Sequence, residues 1–507
     1  MSESSLLDMS RVRRTAVHER RAALLERLRT LRSDIDREAQ ALMSSWEERI
    51  RRPGFRARAL NLAHYIVLRR RDLRELQDEL TLLGLSSLGR LEGRVLANLD
   101  AVIAALAAIV RDPRPEAFPS VAQMHHGREL IRANADLALG PCPATRPVRL
   151  MVTLPTDAAT DPELALELLA CGADLVRINC AHDGPETWAA MIENVHRAAG
   201  MLRRNEAKVL MDLAGPKCRT SETRVAKGFK RLRIGDELLL VPEHFQPLDK
   251  WPVQARCSLP SVFDQLRAGS KVWLDEGRLG GTVRAILPEG ALVFVETAPP
   301  RGLKLKSDKG LNFPNTDLGV SSLTEKDLAD LDFVARHADL VGYSFVQGAD
   351  DIALLQSELC RRVGESAAMK LGLVAKIETQ RAVQNLPEII VQGAGRQPLA
   401  IMIARGDLGV EIGFARLAEM QEEILWLCEA AYVPVIWATG VLMGLIKEGV
   451  VNRGEMTDAA MSARAECVML NKGPHIVEAL RCLDGLFARM AEHQQKKTPR
   501  LRALRSW

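Results

Sequence analysis

Short apolar runs alternate with amphipathic segments from Arg146 onward. The apolar runs predict eight buried strands, at 148–155, 173–181, 207–214, 338–346, 370–378, 399–406, 433–439 and 467–471. Segments with helical spacing of apolar residues lie between them, for example at 161–171, 185–202, 349–363, 415–430 and 453–465, and a last one follows at about 475–494. Eight alternating strand–helix units predict an α/β fold, a (β/α)8 barrel of the TIM type.

The alternation is interrupted once, after the third strand. Residues 218–312 show no helical period and contain β-type runs at 237–241, 271–274 and 292–295, separated by Gly-rich turns. This pattern predicts a small all-β domain inserted at the C-terminal face of the barrel.

The residues before the barrel are predicted to be helical, because apolar residues recur there at three- and four-residue spacing, as at Leu24, Leu25, Leu28 and Leu31. Pro-rich stretches at 112–115 and 140–143 indicate a linker. The expected domains are a helical N-terminal extension at 1–145, a barrel at 146–217 and 313–495, and an inserted β-domain at 218–312.

Composition narrows the class of protein. The 507 residues are 47% hydrophobic and carry 69 basic and 65 acidic side chains, a net charge of +4 that gives no case for a nucleic-acid or membrane partner. The nine cysteines are scattered, as expected for reduced buried thiols. No signal peptide and no stretch long enough to span a bilayer are expected. These features predict a soluble cytoplasmic protein.

Charged side chains stand at the ends of two predicted strands. Lys376 and Glu378 are two residues apart and therefore share one face of a strand. Asp407 follows Gly406 where the next strand ends. A cation and two carboxylates at strand C-terminal ends can hold a metal and an anionic substrate together.

The segments that carry these charges resemble the phosphoryl-transfer motifs of pyruvate kinases, which read approximately S-K-I-E-N and M-V-A-R-G-D-L-G. Residues 177–182 resemble the family's R-L-N-F-S-H, and residues 211–220 resemble L-D-T-K-G-P-E-I-R-T. Further matches lie at 275–277, 309–314, 324–327, 344–345, 437–440 and 453–458, and a loose one lies at 148–155. A barrel with a β-domain in its third loop is also the layout of that family, where the inserted domain resembles a lid that closes over nucleotide.

The resemblance implies transfer of the phosphoryl group of phosphoenolpyruvate to ADP, giving pyruvate and ATP. Mg²⁺ or Mn²⁺ would be held by Glu378 and Asp407. By the same resemblance Lys376, Arg177 and Thr439 are expected to be catalytic. Substrate would bind to Lys376, Gly406, Asp407 and Thr439, and nucleotide to Asn179, His182, Arg219 and Lys309. The implied partners are phosphoenolpyruvate and ADP or ATP, and a homo-oligomer is expected.

The chain departs from the family at its K⁺ site. The positions that supply oxygen ligands are Asn179, Ala181, Asp212 and Leu213 here, so two oxygen side chains are missing. The Glu of the family's G-P-E is Lys217, which resembles the K⁺-independent branch. The ammonium of Lys217 is therefore expected near Asn179 and Asp212, in place of K⁺, which should not be required.

Other departures leave the level of activity open. Gly440 replaces a Gln, residues 470–474 stand where the family has L-S-G-E-T and differ from it at 471–474, and the family's C-terminal effector domain is not expected. One alternative hypothesis is a weak or inactive pyruvate-kinase-like barrel with a regulatory or interaction role. Another is a different phosphoenolpyruvate-using barrel of lyase or mutase type, which the Lys376, Glu378 and Asp407 set argues against.

Overall fold

A computed structural model describes residues 3–114, 116–204, 207–243, 250–314, 316 and 319–500. The chain divides into two compact units. A helical unit comprises Met1–Ala135, Ala394–Arg396 and Trp426–Pro434. A second unit comprises Asp136–Gly393, Gln397–Leu425 and Val435–Trp507.

The helices of the described residues are numbered in chain order. They are α1 Glu3–Trp46, α2 Pro53–Arg69, α3 Arg74–Leu82, α4 Val95–Val110, α5 Val121–Leu139, α6 Pro162–Ala170, α7 Pro185–Met201, α8 Val262–Gln265, α9 Glu325–His337, α10 Ala349–Val363, α11 Glu365–Ala368, α12 Gln380–Gln384, α13 Leu386–Ala394, α14 Arg405–Ile412, α15 Phe414–Ala430, α16 Met443–Glu448, α17 Arg453–Ser462 and α18 Ile476–Met490.

The strands are numbered in the same way. They are β1 Arg149–Thr153, β2 Leu175–Asn179, β3 Lys208–Asp212, β4 Thr220–Val225, β5 Glu237–Pro242, β6 Val253–Cys257, β7 Lys271–Leu274, β8 Leu279–Leu287, β9 Gly290–Thr297, β10 Leu311–Asn312, β11 Leu340–Tyr343, β12 Gly372–Ile377, β13 Leu399–Ala404, β14 Val435–Ala438, β15 Cys467–Leu470, β16 Gln494–Gln495 and β17 Thr498–Pro499.

The helical unit is built around α1, which packs against α2 and α4. The leucines whose spacing predicts a helix face its core, and Leu24, Leu25 and Leu28 are buried. Pro53 is the first residue of α2, where a backbone N–H would have no partner within the helix, so the N–H that proline lacks is not needed.

The expectation that no stretch of the chain is long enough to span a bilayer is wrong for this unit. The stretch Glu92–Val110, 19 residues that include α4, is long and apolar enough to cross a membrane. In the structure 44% of it is buried, and Val95, Leu99 and Leu106 are fully enclosed. α4 packs against α1 and α2, and burial against these helices accounts for the apolar face that it turns toward them.

The predicted barrel is confirmed. In the described residues eight parallel strands close in the order β1, β2, β3, β11, β12, β13, β14, β15 and back to β1. Side chains from every strand fill the interior, as in other barrels of this type. They are Met151, Leu175, Leu210, Leu340, Val374, Ala400, Met402, Ile436, Ala438, Cys467 and Met469.

The inserted β-segment is also present, as one sheet with the strand order β10, β7, β8, β9, β5, β6, β4. It is not all-β as expected, because the four-residue helix α8 lies between β6 and β7. The chain enters it through residues 215–217, immediately after β3. Gly215 has a φ of +67°, and a Cβ there would lie 2.7 Å from that of Ser344, so the turn requires glycine. Barrel and sheet belong to the same compact unit. The domain boundaries from the sequence stay predictions.

Candidate active site

The charged motif residues gather at the carboxyl ends of the barrel strands. A cavity of about 330 Å³ opens there. The predicted site residues that line it are Arg177, Asn179, Lys217, Arg219, Lys376, Glu378, Asp407 and Thr439. Because the strands are parallel, residues far apart in sequence meet at this end of the barrel.

Asp212 is the buried centre of the charge network. Its Oδ2 accepts a hydrogen bond from Arg177 Nε at 2.8 Å and lies 3.3 Å from Lys376 Nζ. Burial alone would raise the pKa of Asp212, but the charges of Lys376 and Arg177 outweigh it and hold the pKa below its usual range. Asp212 therefore remains an anion that fixes both cations.

The other oxygen of Asp212 has no hydrogen-bond partner among the described residues. It lies against Gly342 of β11, where a Cβ would come within 2.6 Å of it. A larger residue at Gly342 would displace the carboxylate, so this glycine protects the position of the network.

Lys376 is held by three groups. Its Nζ donates to Ser344 Oγ at 2.6 Å and lies 3.2 Å from Glu378 Oε1, in addition to Asp212. Ser344 in turn donates to the carbonyl of Leu213 at 2.7 Å, which leaves its lone pairs facing the ammonium. Burial would lower the pKa of Lys376, but Asp212 and Glu378 raise it, so the side chain stays charged.

Ser344 was not among the site residues expected from the sequence. The signal was present, because a Ser-Phe pair at the end of the fourth barrel strand matches the family. Phe345 contributes as well, since its backbone N–H donates to Glu378 Oε2 at 2.6 Å.

Glu378 and Asp407 form the expected pair of carboxylates. Burial, followed by the charge of Asp407, raises the pKa of Glu378 above its usual range. The repulsion between the two carboxylates is what a divalent cation would relieve. In the described residues no group of three or more His, Cys, Asp and Glu side chains is placed to hold a metal. Two carboxylates fit Mg²⁺, which usually takes its other oxygens from substrate and water.

Lys217 makes an ion pair that the sequence did not suggest. Its Nζ lies 2.8 Å from Asp407 Oδ1 and 2.9 Å from Oδ2. Among the contacts of the described residues, Lys217 binds Asp407, while Arg177 and Lys376 bind Asp212. The expected role of Lys217 stays a prediction, with a geometry that differs from the expected one.

Thr439 sits at the cavity in a strained conformation. Its φ of +58° is in the left-handed region, which a β-branched residue rarely adopts. Its Oγ1 accepts the N–H of Gly406 at 2.8 Å. Arg405 holds this turn by donating to the carbonyls of Ala438 and Thr439 at 3.0 and 2.6 Å. Arg405 is a positioning residue that the sequence analysis did not single out.

Some expected residues are not brought into the cavity. His182 is exposed, and Lys309 Nζ pairs with Asp275 in the inserted β-domain at 2.8 Å. Arg219 lines the cavity but also pairs with Asp308 at 3.2 Å. Neither Gly440 nor residues 471–474 belong to the described lining.

Fold and site together define a (β/α)8-barrel protein with an inserted β-sheet and a charged mouth suited to anions and a divalent cation. The sequence model of the pyruvate kinase barrel domain matches residues 145–474. The chain belongs to the pyruvate kinase family.

Named relatives agree with this assignment. Pyruvate kinase PKLR of Homo sapiens is 30% identical over 369 residues, covering 69% of this chain and 60% of that protein. Pyruvate kinase of Geobacillus stearothermophilus is 29% identical over 333 residues, covering 64% of this chain and 54% of that protein. The chain thus spans little more than half the length of these relatives.

A solved structure supports the fold. The crystal structure of a pyruvate kinase from Cryptosporidium parvum matches with a TM-score of 0.60 and 24% sequence identity. The match covers 70% of this chain and 72% of that one.

Proposed function

We propose that the chain transfers the phosphoryl group of phosphoenolpyruvate to ADP, giving pyruvate and ATP in the cytoplasm. The observation that carries the proposal is the convergence of Lys376, Glu378 and Asp407 in one cavity with Arg177 and Thr439. Phosphoryl transfer needs positioned cations more than covalent chemistry, because charge spreads over the peripheral oxygens in the transition state.

Lys376 and Arg177 would contact the transferring phosphoryl group and the enolate oxygen. Both are fixed by Asp212, so their charges are in place before substrate arrives, which is the basis of electrostatic preorganisation. Ser344 sets the direction of the Lys376 ammonium. Nε and Nη2 of Arg177 bind Asp212 and Nη1 donates to Thr153 at 3.1 Å, so Arg177 would offer a phosphoryl group its remaining N–H bonds.

Glu378 and Asp407 would hold Mg²⁺ or Mn²⁺. When bound, such an ion neutralises charge on the substrate carboxylate and phosphoryl oxygens. For Asp407 to serve, the ammonium of Lys217 must move away from it or share it. The backbone at Asp407 would face the substrate carboxylate. Gly406, the other expected contact, donates its N–H to Thr439 and does not belong to the described lining, so it would have to exchange this bond for one to substrate.

Thr439 would act where the enolate takes up a proton at carbon. Its hydroxyl accepts the Gly406 N–H, so its own proton is free to point into the cavity. Asn179 and Arg219 line the side of the cavity where nucleotide phosphates would lie. His182 and Lys309 would join only after a change in side-chain or domain position.

We also propose that turnover does not require K⁺. Ala181 and Leu213 line the cavity without a side-chain oxygen, and Lys217 supplies a tethered positive charge there. Rates should be equal in K⁺, Na⁺ and a bulky organic cation at constant ionic strength. Lys217→Glu should lower the rate without creating K⁺ activation, whereas Lys217→Glu with Ala181→Ser and Leu213→Thr should create it. Strong K⁺ activation of the unmodified protein would contradict the proposal.

The function is tested by a lactate-dehydrogenase-coupled assay with phosphoenolpyruvate, ADP and Mg²⁺. Pyruvate formation that depends on both substrates and on the metal is expected. Full occupancy of phosphoenolpyruvate without pyruvate formation would instead support the second candidate, a barrel that binds but does not turn over. The Lys217–Asp407 pair is the observation that favours this candidate, because it engages both oxygens of a metal ligand.

The helical unit is proposed to mediate contact between copies of the chain. It exposes large apolar side chains at Leu82, Phe118 and Val121. Light scattering should report an oligomer for the full chain and a smaller species for Phe118→Ser with Val121→Ser. The same mass for both proteins would show that these side chains are not at an interface.

A further inference from the structure

Two thiols of the inserted β-domain lie in direct contact. Cys218 follows the entry turn into the sheet, and Cys257 is the last residue of β6. Their sulfur atoms are 3.0 Å apart, although 39 positions separate them in sequence. Both side chains are buried in the core of this domain, with exposed fractions of 3% and 0%.

The backbone on either side of each cysteine is fixed by hydrogen bonds. Thr220 pairs with Cys257 across the sheet. The N–H of Ser258 donates to the carbonyl of Arg219 at 2.9 Å, and the N–H of Leu311 donates to that of Cys218 at 2.9 Å. The sheet therefore holds the two sulfurs together, and little chain movement is needed to bring them to the bonded distance of about 2.05 Å.

The two thiols share one hydrogen bond, and either sulfur can donate it. A sulfur that accepts the S–H of its neighbour is stabilised as the thiolate, and the thiolate is the reactive form.

A small oxidant has a route to the pair. Cys218 lines a cavity of about 510 Å³ beside the entry turn, together with Pro216, Lys217, Leu311 and Phe313. The cavity adjoins the strand-end cavity that holds Lys376, since Lys217 and Phe345 border both.

We propose that Cys218 and Cys257 are a modification site that forms a reversible disulfide with a hydroperoxide as oxidant. The thiolate of one of the two cysteines attacks one oxygen of hydrogen peroxide and the O–O bond breaks. The leaving hydroxide takes up a proton and becomes water, and that cysteine becomes a sulfenic acid. The sulfur of the other cysteine then displaces the second oxygen as water. Two thiols lose two electrons and one peroxide is reduced to two waters.

The crosslink would join Cys218, which directly follows Lys217 at the start of the inserted β-domain, to Cys257 at the end of β6. It should make the entry of this domain more rigid without touching the carboxylates of the barrel. The inference does not rest on the proposed transferase activity, since it concerns thiol chemistry in a different part of the fold.

The test uses the full chain, fully reduced and then treated with hydrogen peroxide. The treated protein is then denatured and its free thiols are alkylated. Two of the nine cysteines should resist alkylation, and peptide mapping should find a Cys218–Cys257 crosslink. The linked peptides should be lighter by about 2 Da, the mass of two hydrogens, and dithiothreitol should restore both thiols. Amide exchange across 218–243 should slow in the oxidised protein.

Variants sharpen the assignment. Cys218→Ser and Cys257→Ser should each abolish the crosslink. Cys467→Ser, which removes an equally buried thiol from the barrel, should leave it unchanged. Nine alkylatable thiols after peroxide, a crosslink that maps to other cysteines, or a stable sulfinic acid on either residue would overturn the proposal. Each of these outcomes can be observed in the unmodified protein, so the proposal remains testable even if a variant fails to fold.

Discussion

Two networks of ion pairs in this chain use the same residue types in different surroundings. One lies at the barrel mouth, where Arg177 and Lys376 share Asp212 and Lys376 also meets Glu378. The other lies in the helical unit, where Arg29 and Arg114 share Glu26. Side-chain exposure separates them, at 1% and 3% for Asp212 and Glu378 against 54% for Glu26.

Burial changes what the charges can do. Hydrogen bonds from Arg29 and Arg114 lower the pKa of Glu26, as for any paired surface carboxylate. Burial instead raises the pKa of Glu378. A buried charge is unfavourable unless it is paired, so the barrel mouth retains charges that contribute little to stability and are available to a ligand. Exposed pairs are screened by water and salt, so their charges act only locally at the protein surface.

The largest expected effect is on catalysis at the buried network. Lys376→Met keeps the volume of the side chain but removes its charge, so kcat should fall at least about a hundredfold. Thermal unfolding should show that the fold is retained. A near-normal kcat in the coupled assay would refute the role of Lys376.

Metal binding should depend on the two carboxylates of the same network. Glu378→Ala and Asp407→Ala should each weaken Mn²⁺ binding by about tenfold or more, because each removes a hard oxygen ligand. Electron paramagnetic resonance of free Mn²⁺ measures this without turnover. Glu26→Ala, from the exposed network, is the matched control and should bind Mn²⁺ normally. Unchanged binding in both barrel variants would place the metal elsewhere.

The sequence predicted which charged residues lie at the strand ends of the barrel, but it did not predict all of their contacts. Strand-end charges at Lys376, Glu378 and Asp407 could be located because continuous apolar runs that end in charge mark where buried strands end. The partner of Lys217 could not be predicted, because its contact with Asp407 joins residues 190 positions apart across the entry turn. The backbone strain at Thr439 also has no sequence signature, since it depends on the hydrogen bonds that Arg405 donates to the carbonyls of Ala438 and Thr439.

A smaller effect is expected at the border of the barrel and the inserted β-domain. Burial and the charge of Asp407 raise the pKa of Glu411 to about 7, opposed by a hydrogen bond from Asn312. The folded pKa lies above the unfolded value. The associated stability is therefore present in full below about pH 4.5 and lost as pH rises through 7.

Glu411→Gln should remove this dependence. Relative to the variant, the unmodified protein should lose about 1–3 kcal/mol of unfolding free energy between pH 5 and pH 8.5, with the lower figure allowing for partial exposure of the side chain. Urea unfolding at several pH values measures the difference. Parallel pH profiles for the two proteins would show that Glu411 ionises normally.

The smallest effect is expected in the exposed network. Arg114→Met should leave kcat and KM unchanged and lower Tm by no more than a few degrees, because Glu26 is solvated and the less exposed Asp112 keeps its pair with Arg29. A loss of activity comparable to that of Lys376→Met would remove the distinction between the two networks.

The most direct test of the central claim is a ³¹P nuclear magnetic resonance time course on the full chain with phosphoenolpyruvate, ADP and Mg²⁺. The phosphoenolpyruvate and ADP resonances should decline together while those of ATP rise in equal amount, and no such change should occur with Lys376→Met. Persistence of phosphoenolpyruvate, or its conversion to inorganic phosphate without ATP, would contradict the claim that the buried network transfers a phosphoryl group to nucleotide.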